Sequence, residues 1–360
     1  MRNFAFLVLI LISPIFALAQ GDAPQKPLTQ AEYVKLLYAL DKNPAMRDEV
    51  VETVRKRGIA FQITDGLRSL TSVKSHGDAE LRRTLEESAR RQSNPTVYNL
   101  PSAKESAEVL NKAREATLAA VDEMPDFVVK QQIQRGASYA GTNNFRNLDR
   151  LVVAVSYRAE GSEEYKILSV NGVLQPAPTV KNTYEDVGGT SSTGEFVTVL
   201  ATIFKPESET KFEPLDTDVI RGRRAIVYTF ETAKDKAKQI ISTSGSLTNS
   251  TITGIKGKLW IDRENFRVLR IESQATEIPV DFPVTAASRD IDYDWVTIAD
   301  EKYLLPSYSE VRLTSRENRD SFETRNQIRF KEYQKYGSEV KVLDDDETPI
   351  QPAPEENKKP

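Results

Sequence analysis

Side chains able to do chemistry are scarce in this chain, which holds a single histidine, His76, and no cysteine. The lack of thiols excludes disulfides, thiol catalysis, zinc-thiolate and iron–sulfur sites, and lipid attachment to an N-terminal cysteine. One imidazole also excludes most Ser-His-Asp machinery and multi-histidine metal sites. His76 stands in Ser75-His76-Gly77-Asp78 at a helix boundary; it reads as a solvent or capping residue, with a pH-sensitive contact as the sharper alternative. Asp290, Asp292, Asp294 and Glu301 fall at positions 1, 3, 5 and 12 of a calcium loop. Trp295 stands where that loop needs glycine, and Ile291, Tyr293 and Trp295 alternate with the acids as in an amphipathic strand. The strand reading is preferred. Gly-x-Ser-x-Gly, His-Glu-x-x-His, the phosphate-binding loop and the dinucleotide glycine pattern are all missing. Among 53 acids, carboxylate pairs arise by accident, and no spacing selects one for glycosidase chemistry. No catalytic residue, metal ligand or cofactor is expected, and a carboxylate-dependent hydrolase is the weakest of three functional readings.

The remaining candidates are apolar. Phe127, Leu151, Val153, Tyr228, Phe230, Trp260, Leu269, Ile271 and Trp295 fall on candidate strands. They line a ligand cavity if enough of them point to one concave side with no helix filling it; the competing reading is a packed core.

Those strands need a frame and an address. With 49 Lys and Arg against 53 acids in 360 residues, net charge −4, there is no basic stripe and no nucleic-acid partner is expected. Arg2, an apolar run from Phe4 to Phe16, and Ala17-Leu18-Ala19-Gln20 have the layout of a secretory signal over residues 1–19, cleaved after Ala19. The run falls short of the roughly 20 residues of a spanning helix; a retained anchor is the competing reading, and no later segment is long enough to span. The expected location is periplasmic or secreted, in a bacterium.

Thr29-Gln30-Ala31-Glu32 is a capping box with Leu28 and Tyr33 placed as a hydrophobic staple. Asn43-Pro44 opens a second helix that Gly58 ends, Thr64 opens a third, and Asp78 to Arg91 a fourth. Residues 28–91 thus form a helical module of the size used for protein contacts or spacing. Two prolines in 92–101 mark a linker. Ser102 to Glu105 caps a long helix reaching Glu123, after which the period shifts from 3.6 toward 2. Hairpins follow: Phe127–Gln134 with Leu151–Arg158, Glu164–Val170 closed by Asn171-Gly172, strands on either side of Gly222, and two more around 263–265 and 300–301. Ser192-Thr193-Gly194-Glu195 caps an inserted helix through Phe196, Leu200, Ile203 and Phe204; a strand through Val197, Val199 and Ala201 is the alternative. Ser242 to Gly254 reads as a mobile loop, and 338–360 as a disordered acidic and Pro-rich tail. The fold class is α+β: a helical module, then in 102–337 a large curved antiparallel sheet covered by helices on one face, with charged residues on the other.

Gly257-Lys258-Leu259-Trp260-Ile261-Asp262, leading to Phe266-Arg267-Val268-Leu269-Arg270, resembles the Gly-x-Leu-Trp-Ile-Asp hairpin of the half-barrel in the bacterial outer-membrane lipoprotein carrier and its periplasmic stress-sensor relatives. Tyr303-Leu304-Leu305-Pro306 and the Arg-rich final strand resemble an uncharacterised family of exported bacterial proteins. The resemblance covers about residues 105–335 and contains no catalytic motif. It implies a half-barrel whose concave face binds acyl chains or a lipidated partner. The helical module and the inserted loops depart from the simple carrier. A non-enzymatic periplasmic binding protein is the first functional expectation, with lipid or a lipidated polypeptide as partner. An interaction or sensor protein without a ligand cavity is the alternative.

Overall fold

The computed structural model describes residues 26–159, 162–175, 190, 196, 198–237, 239–243, 249–317 and 320–337. The expected signal peptide, the cap at Ser192 to Glu195 and the C-terminal tail lie outside these residues. The chain divides into two compact units, one ending at Pro95 and the other starting at Thr96.

The first unit is helical: α1 (Gln30–Lys42), α2 (Arg47–Arg57), α3 (Asp65–Lys74) and α4 (Ala79–Ser93). The capping box at Thr29 forms in full, with the Thr29 hydroxyl accepting from Glu32 N and the Glu32 carboxylate accepting from Thr29 N. Asn43-Pro44 opens a single 3-10 turn ahead of α2. Gly58 ends α2 with φ 66°, a conformation that side-chain-bearing residues rarely adopt. Leu28, Tyr33, Leu37, Val50, Val54, Leu81 and Leu85 supply the centre of the core. Arg47 bonds Asp78 at 2.9 Å and Glu80 at 2.6 Å, tying α2 to α4.

The second unit begins with α5 (Ala103–Asp122), followed by β1 (Phe127–Tyr139), β2 (Arg146–Tyr157), β3 (Glu163–Val170) and β4 (Val173–Leu174). After α6 (Thr198–Phe204) come β5 (Lys211–Ile220), β6 (Arg223–Thr232), α7 (Lys234–Ala237), β7 (Gln239–Thr243), β8 (Asn249–Asp262), β9 (Val268–Thr276), β10 (Val284–Ile298), β11 (Glu301–Glu317) and β12 (Asp320–Lys335). All twelve strands among the described residues join one curved antiparallel sheet, ordered β4-β3-β2-β1-β12-β11-β10-β9-β8-β6-β5, with β7 added to β8. Among the described strands the sheet does not close into a barrel, and β4 and β5 are its ends. The class is α+β, as expected. The pairing of β1 with β12, Ile133 opposite Ile328, joins strands nearly 200 residues apart and has no local sequence signal.

The helical reading of the insertion holds over Thr198–Phe204. The loop reading of Ser242 to Gly254 does not: Gln239–Thr243 pairs with Asn249–Thr253 as a β-ribbon. Ser and Thr lowered the apolar content there, while Thr and Ile favour strands. Asp290, Asp292 and Asp294 lie on β10 and Glu301 opens β11. Asp292 faces Arg270 at 3.7 Å, and Asp294 faces Arg221 at 3.9 Å. The outward face of β12 is less wet than its alternation implies. Gln327 is buried, donating to Glu310 and to the Tyr308 hydroxyl, and Arg312 bridges Glu310 and Glu323. No helix among the described residues is long and apolar enough to cross a membrane.

Candidate functional site

The helix-covered face of the sheet is where the fold concentrates apolar side chains. On β6, Ile226, Tyr228 and Phe230 join the covered core while Ala225 and Val227 join a smaller cluster on the opposite face, as strand alternation requires. The covered face carries two clusters. One lies under α5 and α6, where Val109, Ala113, Leu200, Ile203 and Phe204 meet Tyr228, Phe230, Leu259 and Ile271. The other gathers Phe127, Leu151, Val153, Ile328 and Phe330 around Phe196. The Phe196 ring lies 5.3 Å from Phe127 and 5.5 Å from Phe330, both edge-on.

The two covering helices are held differently. Polar anchors fasten α5: the Tyr228 hydroxyl donates to Ser106 O at 2.8 Å, and Arg263 grips Glu105 through two bonds at 2.6 and 2.9 Å. Arg267 donates to Ala116 O at 2.5 Å, and Lys112 sits 4.6 Å over the Phe266 ring. The Arg263 guanidinium pulls the Glu105 carboxyl below its ordinary pKa, and burial pushes the Tyr228 phenol up. Three of these anchors come from the hairpin around Arg263, so the Trp260-containing motif serves as the clamp of α5. α6 meets the sheet through the apolar side chains of Leu200, Ile203 and Phe204.

A polar seam crosses the covered face. Ser309 on β11 is flanked in register by Ile291 of the first cluster and Ile328 of the second. Its hydroxyl is buried and finds no hydrogen-bond partner among the described residues, and the same holds for Asn326 Oδ1. Asn326 Nδ2 donates to Thr190 O at 2.7 Å. Arg135, opposite Asn326, forms a two-pronged bond to Asp149 at 2.6 and 2.5 Å. Sequence reasoning missed Gln131, Arg135, Asp149 and Ser309. The available signal was phase: Gln131 and Arg135 share the parity of Val129 and Ile133 on β1.

The nine apolar residues singled out from sequence do not converge on one place. Phe127, Leu151 and Val153 lie in the second cluster, and Tyr228, Phe230 and Ile271 in the first. Trp260 and Leu269 lie on the opposite face with Val227; Trp260, 1% exposed, donates its indole N–H to Asp218 at 3.0 Å. A register shift between Trp260 and Ile261 puts Leu269 out of phase with Val268 and Ile271, which the alternating pattern does not reveal. Trp295 is 42% exposed.

No protein-family model and no curated protein matches the chain. Solved structures similar to it include a DUF1329 family protein from Desulfovibrio piger, 8% identical, with a TM-score of 0.27, covering 64% of this chain and 95% of that one. MucB in complex with MucA(peri) is 10% identical with a TM-score of 0.17, covering 62% and 94%. The Pseudomonas aeruginosa MucA/MucB complex is 11% identical with a TM-score of 0.17, covering 61% and 93%. These scores are too low for any role to be carried over to this chain.

Proposed function

We propose that this is an exported, non-enzymatic binding protein that holds an acyl chain or a lipidated polypeptide on the covered face of its sheet, beneath α6. The observation that carries the reading is the contrast between the two covers: α5 is anchored by polar contacts, whereas α6 and Phe196 meet the sheet through apolar contacts that an apolar ligand reproduces on replacing them. The Ser309 hydroxyl and Asn326 carbonyl, which have no hydrogen-bond partner among the described residues, then lie at the seam where a ligand's polar end finds a hydrogen bond. The signal-like N-terminus supports export, and in this reading the helical unit meets a protein partner.

Titration with a long-chain fluorescent fatty acid tests this. Saturable binding is expected, tightened severalfold by Phe196→Ala, which vacates a ring's volume between Phe127 and Phe330. Circular dichroism checks that the variant folds. No saturable binding to either protein would overturn the proposal.

A second reading draws on the same face. Phe127, Leu151, Val153, Tyr228, Phe230 and Ile271 are almost fully buried among their neighbours, which favours an interaction or sensor protein with a solid core. It predicts that Phe196→Ala loses stability and gains no ligand.

A further inference from the structure

We propose that the ribbon formed by β7 and the start of β8 is a self-association edge, on which a second copy of this chain adds its own β7 in antiparallel register. Strand β9 leaves β8 at the pair Gly254 and Thr276, so Asn249 to Thr253 pair with β7 alone. Beyond β7 no described strand follows, and no strand among the described residues pairs with its outer backbone edge. An open edge is a template for another strand unless charge, proline or a bulge blunts it. The edge strand β5 carries such devices: Lys211, Glu213, Pro214 and a register shift between Pro214 and Asp216. The ribbon carries none of them. From Gln239 to Ile255 the sequence has no charged residue, in a chain that is 28% charged. Ile240 and Ile252 stand directly opposite each other, 66% and 45% exposed, with Ser242 and Ser250 next to them on the same face.

The occupant follows from charge and symmetry. A charged strand docking here would lose water without gaining an ion pair, so the fitting partner is an uncharged extended strand, and β7 itself is one. A two-fold axis at Ile241 sets Ile240 opposite Ser242 of the partner subunit and Gln239 opposite Thr243 of the partner subunit. Ile240 then lies diagonal to its own copy, within reach for an apolar contact. The isologous arrangement closes on itself as a dimer and does not propagate into a fibre.

Sedimentation velocity of the purified full chain across a concentration series tests this, alongside Ile240→Lys, an exposed substitution that the fold tolerates. A reversible dimer is expected, weakened about tenfold or more by the lysines placed diagonally across the axis. Register is tested independently, because the chain has no cysteine of its own. An equimolar mixture of Ile240→Cys and Ser242→Cys is expected to cross-link on mild oxidation, since facing strand residues lie within disulfide reach. Each variant alone is expected to cross-link far less. A monomer at every concentration, or a dimer untouched by Ile240→Lys, would overturn the proposal. So would monomers that sediment with phosphatidylcholine vesicles in an Ile240-dependent way, which would assign the ribbon to a lipid surface.

Discussion

Glu32 accepts from Thr29 N at 2.8 Å, which draws its carboxyl from 4.5 down to about 2. A folded-state pKa below the unfolded one means that the bond stabilises the helical unit above pH 4.5 and is lost as pH falls toward 2. Glu32→Gln is expected to lower the melting temperature at neutral pH and to give a shallower acid limb, read by circular dichroism across that range; parallel limbs would contradict this. In the sheet unit, Tyr228→Phe removes the donor to Ser106 O and is expected to cost about 1 kcal/mol in urea unfolding. At this scale the sequence was informative wherever a local rule operates: the Thr29 box, the Thr64 cap and the turn at Asn171-Gly172 all sit where their residue types require. The capping pattern marks Glu105 as a partner for its own helix start; it does not show that the carboxylate also pairs with Arg263, far along the chain.

Elements depend on contacts that no window of sequence displays. Gly257 illustrates the constraint: a β-carbon there would collide with the backbone oxygen of Glu272 on β9. Gly257→Ala is therefore expected to cost about 1–3 kcal/mol by chemical denaturation, and an unchanged midpoint would show that β8 and β9 can separate. The clamp on α5 supports a second prediction. A double-mutant cycle on Arg263→Ala and Glu105→Ala should return a coupling of about 1 kcal/mol. The hairpins were legible because their alternation is local. Around β7 the Ser- and Thr-rich composition points to a loop and outweighs the spacing of Ile240 and Ile252, and the partition of the nine apolar residues between two faces turns on one register shift near Trp260.

On the scale of the whole chain, two cores hold two separate sets of residues, Leu28 to Leu85 in one unit and the sheet clusters in the other. Calorimetry is expected to resolve two transitions, one moved by Glu32→Gln and the other by Gly257→Ala; a single transition moved by both would show that the units melt together. The central claim concerns what replaces α6 on the covered face. Native mass spectrometry of the chain recovered from the periplasm of its expression host, with organic extraction, tests it most directly. A discrete added mass that extracts as a lipid or acylated species is the predicted result, and a bare polypeptide mass in every preparation would contradict it.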